Sequence, residues 1–202
     1  APRASTTDPD ARRMKMGDNG FRPALNVQFA SDGDNQLIVG VDVTNQGSDT
    51  GLMKPMYDKV CGTYDVIPKN VLVDGGFVKK EDFIALETAG TQVHAPICNE
   101  AKQLADGKDP YAPRKGEGQE MTNYRQRMGT PEGKAMYRRR SAIAEYPNDE
   151  CRNRGLNQFP VRGLVKAKAQ ALWHALAFNF NRLRRLHCEE RDQSYLEIVM
   201  GH

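Results

Sequence analysis

No two cysteines stand at metal-ligand spacing in this sequence. Cys61, Cys98, Cys151 and Cys188 are scattered singly, so spacing indicates neither a zinc site nor a disulfide framework, and reduced thiols are expected. No apolar run is long enough for a bilayer span and no secretory leader is recognisable, so the chain reads as a soluble, intracellular protein. The glycines of "DGDNQLIVG" and "GTPEG" do not fit a phosphate-binding loop. Tryptophan occurs once, at Trp173. Acidic residues are missing from one long interval, residues 151–188, which nevertheless holds Arg152, Arg154, Arg162, Lys166, Lys168, Arg182, Arg184 and Arg185. With Lys+Arg 29 against Asp+Glu 26 the net charge is only +3, so the total names no partner. The one-signed interval suits a polyanion, or else forms a solvated helix face.

What is present reads as one domain of mixed α/β type, since 202 residues suffice for a sizeable single core. The opening "TTDPDARRMKMGDNG" is polar and turn-rich, and residues 1–22 are expected to be a connecting arm. The absence of an initial methionine fits processing, a cloning boundary or a fragment. "ALNVQFASD" and "QLIVGVDVTN" are strand-like runs joined as a hairpin, with Gly33 placed to take a positive φ. In the second run Leu37, Val39, Val41 and Val43 form an apolar face by alternation. Ser48 or Asp49 offers an N-cap for a helix through "LMKPMYDKV", with Pro55 in its first turn. A strand "NVLVD", a helix "KKEDFIALETA" stopped by Gly90, and a strand "TQVHAPI" follow, and these two strands are expected to be parallel neighbours. Residues 98–133 are polar and rich in Gly, Pro, Lys and Glu, and predict an extended insertion with short helical pieces at most. Beyond it lie a helix "GKAMYRRRSAIAE", a turn-rich "YPNDECRNRGLNQFP" and a long helix over residues 161–186. Val165, Leu172, Leu176, Phe180 and Leu183 lie along one side of that helix.

Two acids stand out. Asp74 ends the apolar strand "NVLVD" and is followed by Gly75 and Gly76. An acid at the carboxyl end of a buried strand is held where a metal or substrate collects in an open α/β sheet. The competing reading makes Asp74 a cap for the helix starting near Lys79, and position alone leaves both open. Glu145 shares a predicted helix with Tyr137 and Arg140, and Arg152 follows seven residues later. Other candidates are weaker. Asp42 lies mid-strand as an outward residue, and Asp8 and Asp10 suit a local turn. His94 and His174 sit in apolar surroundings, and His187 and His202 lie near the tail. Ser141 has no triad partners in sequence, and Trp173 and Phe178 suit a core.

The order Tyr137, Arg140, Glu145, Arg152 in "YRRRSAIAEYPNDECRNRG" resembles the signature of DDE-type insertion-sequence transposases, in which a Tyr, an Arg, the last catalytic Glu and a later Lys or Arg recur. "NVLVDGGF" is similar to the segment carrying their second catalytic Asp, with Phe77 in place of the usual Tyr. "TTDPDARRMK", "LNVQFASD", "VDVTNQGSDTG", "RMGTPEGKAMYRRR" and "FPVRGLVKAKAQALWHALAFNFNR" look like consecutive blocks of one subgroup, in order, up to about residue 186.

The resemblance implies an RNase H-like mixed sheet flanked by helices, with residues 23–186 as a partial catalytic domain and 187–202 as a tail. It implies a two-metal Mg²⁺ or Mn²⁺ site ligated by Asp74 and Glu145, and DNA cleavage and strand transfer. Tyr137, Arg140, Arg152 and Arg154 would contact DNA, namely transposon ends and target. Self-association on DNA and a cytoplasmic, nucleoid-bound location in a bacterium are implied as well. One departure stands out: the family's first catalytic Asp, on an opening strand in an Asp-Gly-Thr context, has no counterpart here. The expectation is therefore a fold lacking its first strand, marginal or associating, that needs a further N-terminal part for activity. The alternative is an inactive nucleic-acid-binding remnant. An in-frame Asp-Gly-Thr strand in the coding sequence upstream would favour the first.

Overall fold

In the computed structural model, residues 5–199 are described, with side chains through residue 189. His202 and the end of the 187–202 tail lie outside the described residues. The architecture is mixed α/β with small sheets. The chain divides into two compact units, one built from Ala1–Gly47 with Ile143–His202 and the other from Ser48–Ala142.

In the first unit, β1 (Arg12–Lys15) and β2 (Phe21–Ala24) pair antiparallel, Arg12 opposite Ala24 and Lys15 opposite Phe21. The segment expected as a featureless arm thus contains a hairpin. Its four-residue strands, RRMK and FRPA, carry no apolar–polar alternation long enough for a sequence pattern to register. The expected hairpin of β3 (Asn26–Ser31) and β4 (Ile38–Thr44) forms, with Phe29 opposite Val41. Its turn is not made by Gly33. Gln36 takes the positive φ, 58°, and the Asp32 carboxylate accepts the Asn35 N–H at 2.7 Å. The register passes from Ala30 opposite Gly40 to Ser31 opposite Ile38, so Val39 is the extra residue of a bulge. That slip turns Ile38 to the side of Val41 and Val43, and these three rather than Leu37 and Val39 are buried.

α6 (Tyr146–Cys151) and α7 (Leu164–Val199) complete this unit. α7 lays Ala167, Ala171, Ala175 and Phe178 on β4, where the small side chains allow close approach. Asn179 clamps the strand end, its side chain bonding both the N–H and the C=O of Ile38 at 2.8 Å. The helix start is capped at long range: Asp10 accepts the Leu164 N–H at 2.9 Å and Asp8 accepts the Gly163 N–H at 3.0 Å. The Gly163 bond in particular holds the Asp8 carboxyl below the usual carboxylate range. Their role exceeds the local turn that sequence suggested. The apolar stripe along one side of α7 is not the side that packs on β4. Val165, Leu172, Leu176, Phe180 and Leu183 are exposed, and Trp173, expected in a core, is exposed with them.

The second unit holds α1 (Met53–Tyr64), β5 (Asn70–Leu72), α2 (Lys80–Thr88) and β6 (Gln92–His94), with β5 and β6 parallel, Val71 opposite Val93. Helix α2 is the crossover such a parallel pair requires. Neither Ser48 nor Asp49 caps α1, whose N-cap is Leu52 without a side-chain bond. The segment expected as an extended insertion is helical instead: α3 (Glu100–Ala105) and α4 (Gln119–Gly129) precede α5 (Pro131–Arg140). Met121, Tyr124 and Met128 of α4 enter the core with Met53, Tyr57, Phe83, Leu86, Val93, Ala95 and Ile97. Their i, i+3, i+7 spacing is a helix stripe hidden in a polar composition. Tyr124 meets Phe83 edge-on, ring centroids 4.9 Å apart, and donates its hydroxyl to Ala95 O at 3.1 Å.

Candidate functional site

Asp74 lies two residues beyond β5 with an extended backbone, φ −82° and ψ 178°, and its side chain is half-buried. Its Oδ1 accepts the Gly76 N–H at 2.8 Å, so the carboxylate caps a 3₁₀ turn over Gly75–Phe77. α2 takes Lys79 as its N-cap without a side-chain bond, so Asp74 is not the cap of α2 that sequence offered as an alternative. Both features of the sequence reading coexist: the acid stands at the carboxyl end of a parallel strand, and one oxygen is pinned by a turn. The glycines serve the approach. A Cβ at Gly76 would stand 3.1 Å from Asp74 Oδ1 and 3.4 Å from Asp49 Oδ2, so two carboxylates border one point. Thr50 Oγ1 donates to Gly76 O at 3.1 Å and ties the segment carrying Asp49 to the same turn. Asp49 was missed as a neighbour of Asp74 because its polar surroundings, "GSDTG", read as a helix cap.

The second cluster lies on a helical run over residues 131–156. α5 passes into a π-helical turn at Ser141–Glu145, then α6, then a second π turn at Arg152–Leu156. Such turns shift the facing of every later side chain and occur often at functional sites. The single helix predicted to carry Tyr137, Arg140 and Glu145 is therefore interrupted. Tyr137 packs against the core of the second unit, and the Arg140 guanidinium lies 5.9 Å from its ring centroid. Glu145 is exposed at the end of the first π turn and belongs to the first unit. Arg152 lies 3.9 Å from Asp149, both highly exposed, and Arg154 pairs with Glu150 at 3.1 Å. Surface pairs of this kind add little stability and leave the cations available to other anions.

Basic residues of the acid-free interval take their acidic partners from outside it. Asp42 of β4 holds Lys168 at 2.8 Å, which settles Asp42 as an outward, paired strand residue. Arg154, Arg182 and Arg185 line one small cleft with Tyr146, Glu150, Phe178 and Asn181, and Arg185 donates to the Tyr146 hydroxyl at 2.8 Å. Arg154 also borders an open groove of about 420 Å³ lined by Asn157, Gln158, Phe159, Gln170 and His174. Sequence singled out Arg154 together with the basic positions of the final helix, and the path of α7 brings Arg182 and Arg185 to the same cleft as Arg154.

Carboxylates are the donors a hard divalent cation prefers, and magnesium is commonly held by one or two of them with water and substrate phosphates completing its shell. Asp74 with Asp49 meets that minimum. No group of three or more His, Cys, Asp or Glu able to hold a metal forms among the described residues. His94 is no ligand candidate. It is buried, its Nε2 lies 2.9 Å from Asn70 Oδ1, and burial together with the Arg127 charge lowers its pKa to about 4. Cys151 is likewise a core residue, its thiol pushed up to about 11 by burial.

A family model described as "Transposase DDE domain" matches residues 2–180. Neither a curated protein nor a solved structure matches the chain. No helix among the described residues is long and apolar enough to cross a membrane.

Proposed function

Since the chain belongs to the transposase DDE domain family, we propose that it takes part in DNA cleavage and strand transfer within an RNase H-like domain, with Asp74 and Glu145 as its metal-binding acids. The observation that carries the reading is the placing of Asp74, within the matched span, at the carboxyl end of a parallel strand. Asp49, bordering the same point, is available as a second carboxylate on that side. Divalent magnesium or manganese, when bound, would supply the activation of water or a 3′-hydroxyl and the stabilisation of the leaving 3′-oxygen.

The chain's own residues account for binding and orientation. The Gly76 N–H fixes one Asp74 oxygen, so the carboxylate is presented in one orientation. Arg140, stacked on Tyr137, offers its guanidinium edge to a phosphate. Arg152 and Arg154, extended by Arg182 and Arg185, form the track for the DNA backbone, the part of nucleic-acid binding that carries most of the affinity. Self-association on paired DNA ends, in a bacterial cytoplasm, belongs to the same proposal.

The test is calorimetric titration of Mg²⁺ or Mn²⁺ into the purified chain, beside Asp74→Ala and Glu145→Ala. Loss of metal binding in both variants, with unchanged circular dichroism, supports the pair. Binding indifferent to both substitutions would remove Asp74 and Glu145 from the metal site.

A further inference from the structure

Helix α7 is apolar on two opposite sides. One side, Ala167, Ala171, Ala175 and Phe178, is consumed by packing on β4. The other presents Val165, Leu172, Trp173, Leu176, Phe180 and Leu183 to solvent, with exposures reaching 84 % at Val165, 70 % at Phe180 and 69 % at Trp173. Successive members from Val165 through Leu172, Leu176 and Phe180 to Leu183 stand seven, four, four and three residues apart, and Ala169 fills the first gap. That is the recurrence with which one helix seats its side chains between those of another. Exposed apolar patches of this extent are uncommon on monomers and mark contact surfaces.

We propose that this outer face of α7 pairs with the same face of a second copy of the chain, forming a two-fold dimer in the absence of DNA. This deepens the self-association named above by assigning its surface, and it rests on that reading only for its purpose. The area is sufficient. Weighted by their exposures, the six side chains offer roughly 700 Å² per chain, so a face-to-face pair removes roughly 1,400 Å², within the range of stable specific interfaces. The same surface used by both copies closes the assembly at two, because an isologous contact leaves no further face to fill.

Charge supplies a signature. The apolar face is flanked by exposed Lys166 and Arg184, with no acid between residues 151 and 188 to offset them. Pairing two such helices sets like charges along the rim in either direction. Salt screens that repulsion, so association should strengthen as ionic strength rises, opposite to the response of DNA binding.

Sedimentation equilibrium of the full chain at low and high salt tests this, read together with the emission of Trp173, the single tryptophan. Expected are a monomer–dimer equilibrium in the micromolar range, tightening with salt, and a blue shift of Trp173 that tracks the dimer fraction. Leu176→Gln with Phe180→Gln should weaken association by at least about tenfold, whereas Ile67→Gln, at an exposed apolar residue of the other unit, should not. Because Leu176 and Phe180 are exposed, the variant should keep the wild-type circular dichroism and, at concentrations where both are monomeric, the wild-type melting curve. A monomer at every concentration, or a dimer whose Trp173 emission stays that of a solvated indole, overturns the proposal. So does a monomer whose Trp173 shifts only when DNA is added, which would give the face a different occupant. Calorimetric metal binding is read separately, so failure of the dimer and failure of the catalytic reading are distinguishable.

Discussion

Replacing Arg127 by Met should be among the most damaging single changes in the second unit. The Arg127 guanidinium donates to both Glu87 carboxylate oxygens and, at 2.8 Å, to the Val93 carbonyl, while Glu87 also accepts the Val93 N–H at 2.8 Å. Only 15 % of the Arg127 side chain and 8 % of that of Glu87 are exposed. Arg127→Met fills similar volume but leaves the Glu87 carboxylate buried without its cation, which costs about 3–5 kcal/mol. For a chain of this size that lowers the melting temperature by roughly 6–20 °C. Adding Glu87→Gln removes the stranded charge while its amide oxygen still accepts the Val93 N–H, so the double variant should recover at least half of the loss.

His94 makes the same cluster pH-dependent. In the folded chain it stays neutral down to about pH 4, against an ordinary value of 6.5. Between those values the unfolded chain binds the proton and the folded chain does not, so stability falls as pH drops through the window and is retained above it. The full window corresponds to at most about 3 kcal/mol. Burial is the larger cause and persists in Arg127→Met; the Arg127 charge is the second, so the variant should show a shallower decline between pH 6.5 and 4. Thermal melts by circular dichroism at several pH values read both effects. A loss below about 1 kcal/mol for Arg127→Met, or a double variant no better than the single, would refute the reasoning that the pair is a compensated buried charge.

Two further substitutions follow from packing. Gly133→Ala places a Cβ 2.0 Å from the Arg127 carbonyl oxygen, a backbone atom that cannot swing away, and should destabilise by about 3 kcal/mol or more. Gly62→Ala, in helix α1 with nothing near it, should instead stabilise by about 0.5–1 kcal/mol; urea unfolding of the two checks the opposite signs. Asn179→Ala removes both bonds to the Ile38 backbone and should cost about 1–3 kcal/mol in the same assay, with Asn179→Asp, which keeps only the acceptor, also destabilised.

The β3–β4 hairpin, α2 and the parallel pairing of β5 with β6 were legible because alternation and punctuation there are strong. The stripe of Met121, Tyr124 and Met128 was written in residues 98–133 but outvoted by the charged residues and glycines around it. α7 misled for a different reason. Its large apolar residues outweighed its alanines by size, yet the side laid on β4 is the alanine side, whose small side chains allow close approach. The capping of α7 by Asp8 and Asp10 spans more than 150 residues and has no local trace. At the site, strand-end geometry made Asp74 visible. Asp49 and the π turn holding Glu145 were not, since the first depends on a contact across the turn and the second on backbone winding that no residue type announces.

The first unit is assembled from the beginning and the end of the chain, with the whole second unit between them. During synthesis β4 leaves the ribosome before the second unit, and Asn179 and the alanine face of α7 follow some 140 residues later; the clamp to Ile38 spans 141 positions. At an elongation rate of about 5–20 residues per second that interval is on the order of ten seconds, during which Ile38, Val41 and Val43 have no helix to lie against. Residues 48–142 can meanwhile complete their own core. Maturation of the first unit thus waits for the synthesis of α7, and a chain interrupted before it would display a bare apolar hairpin, a substrate for chaperones and proteases that the assembled unit withdraws.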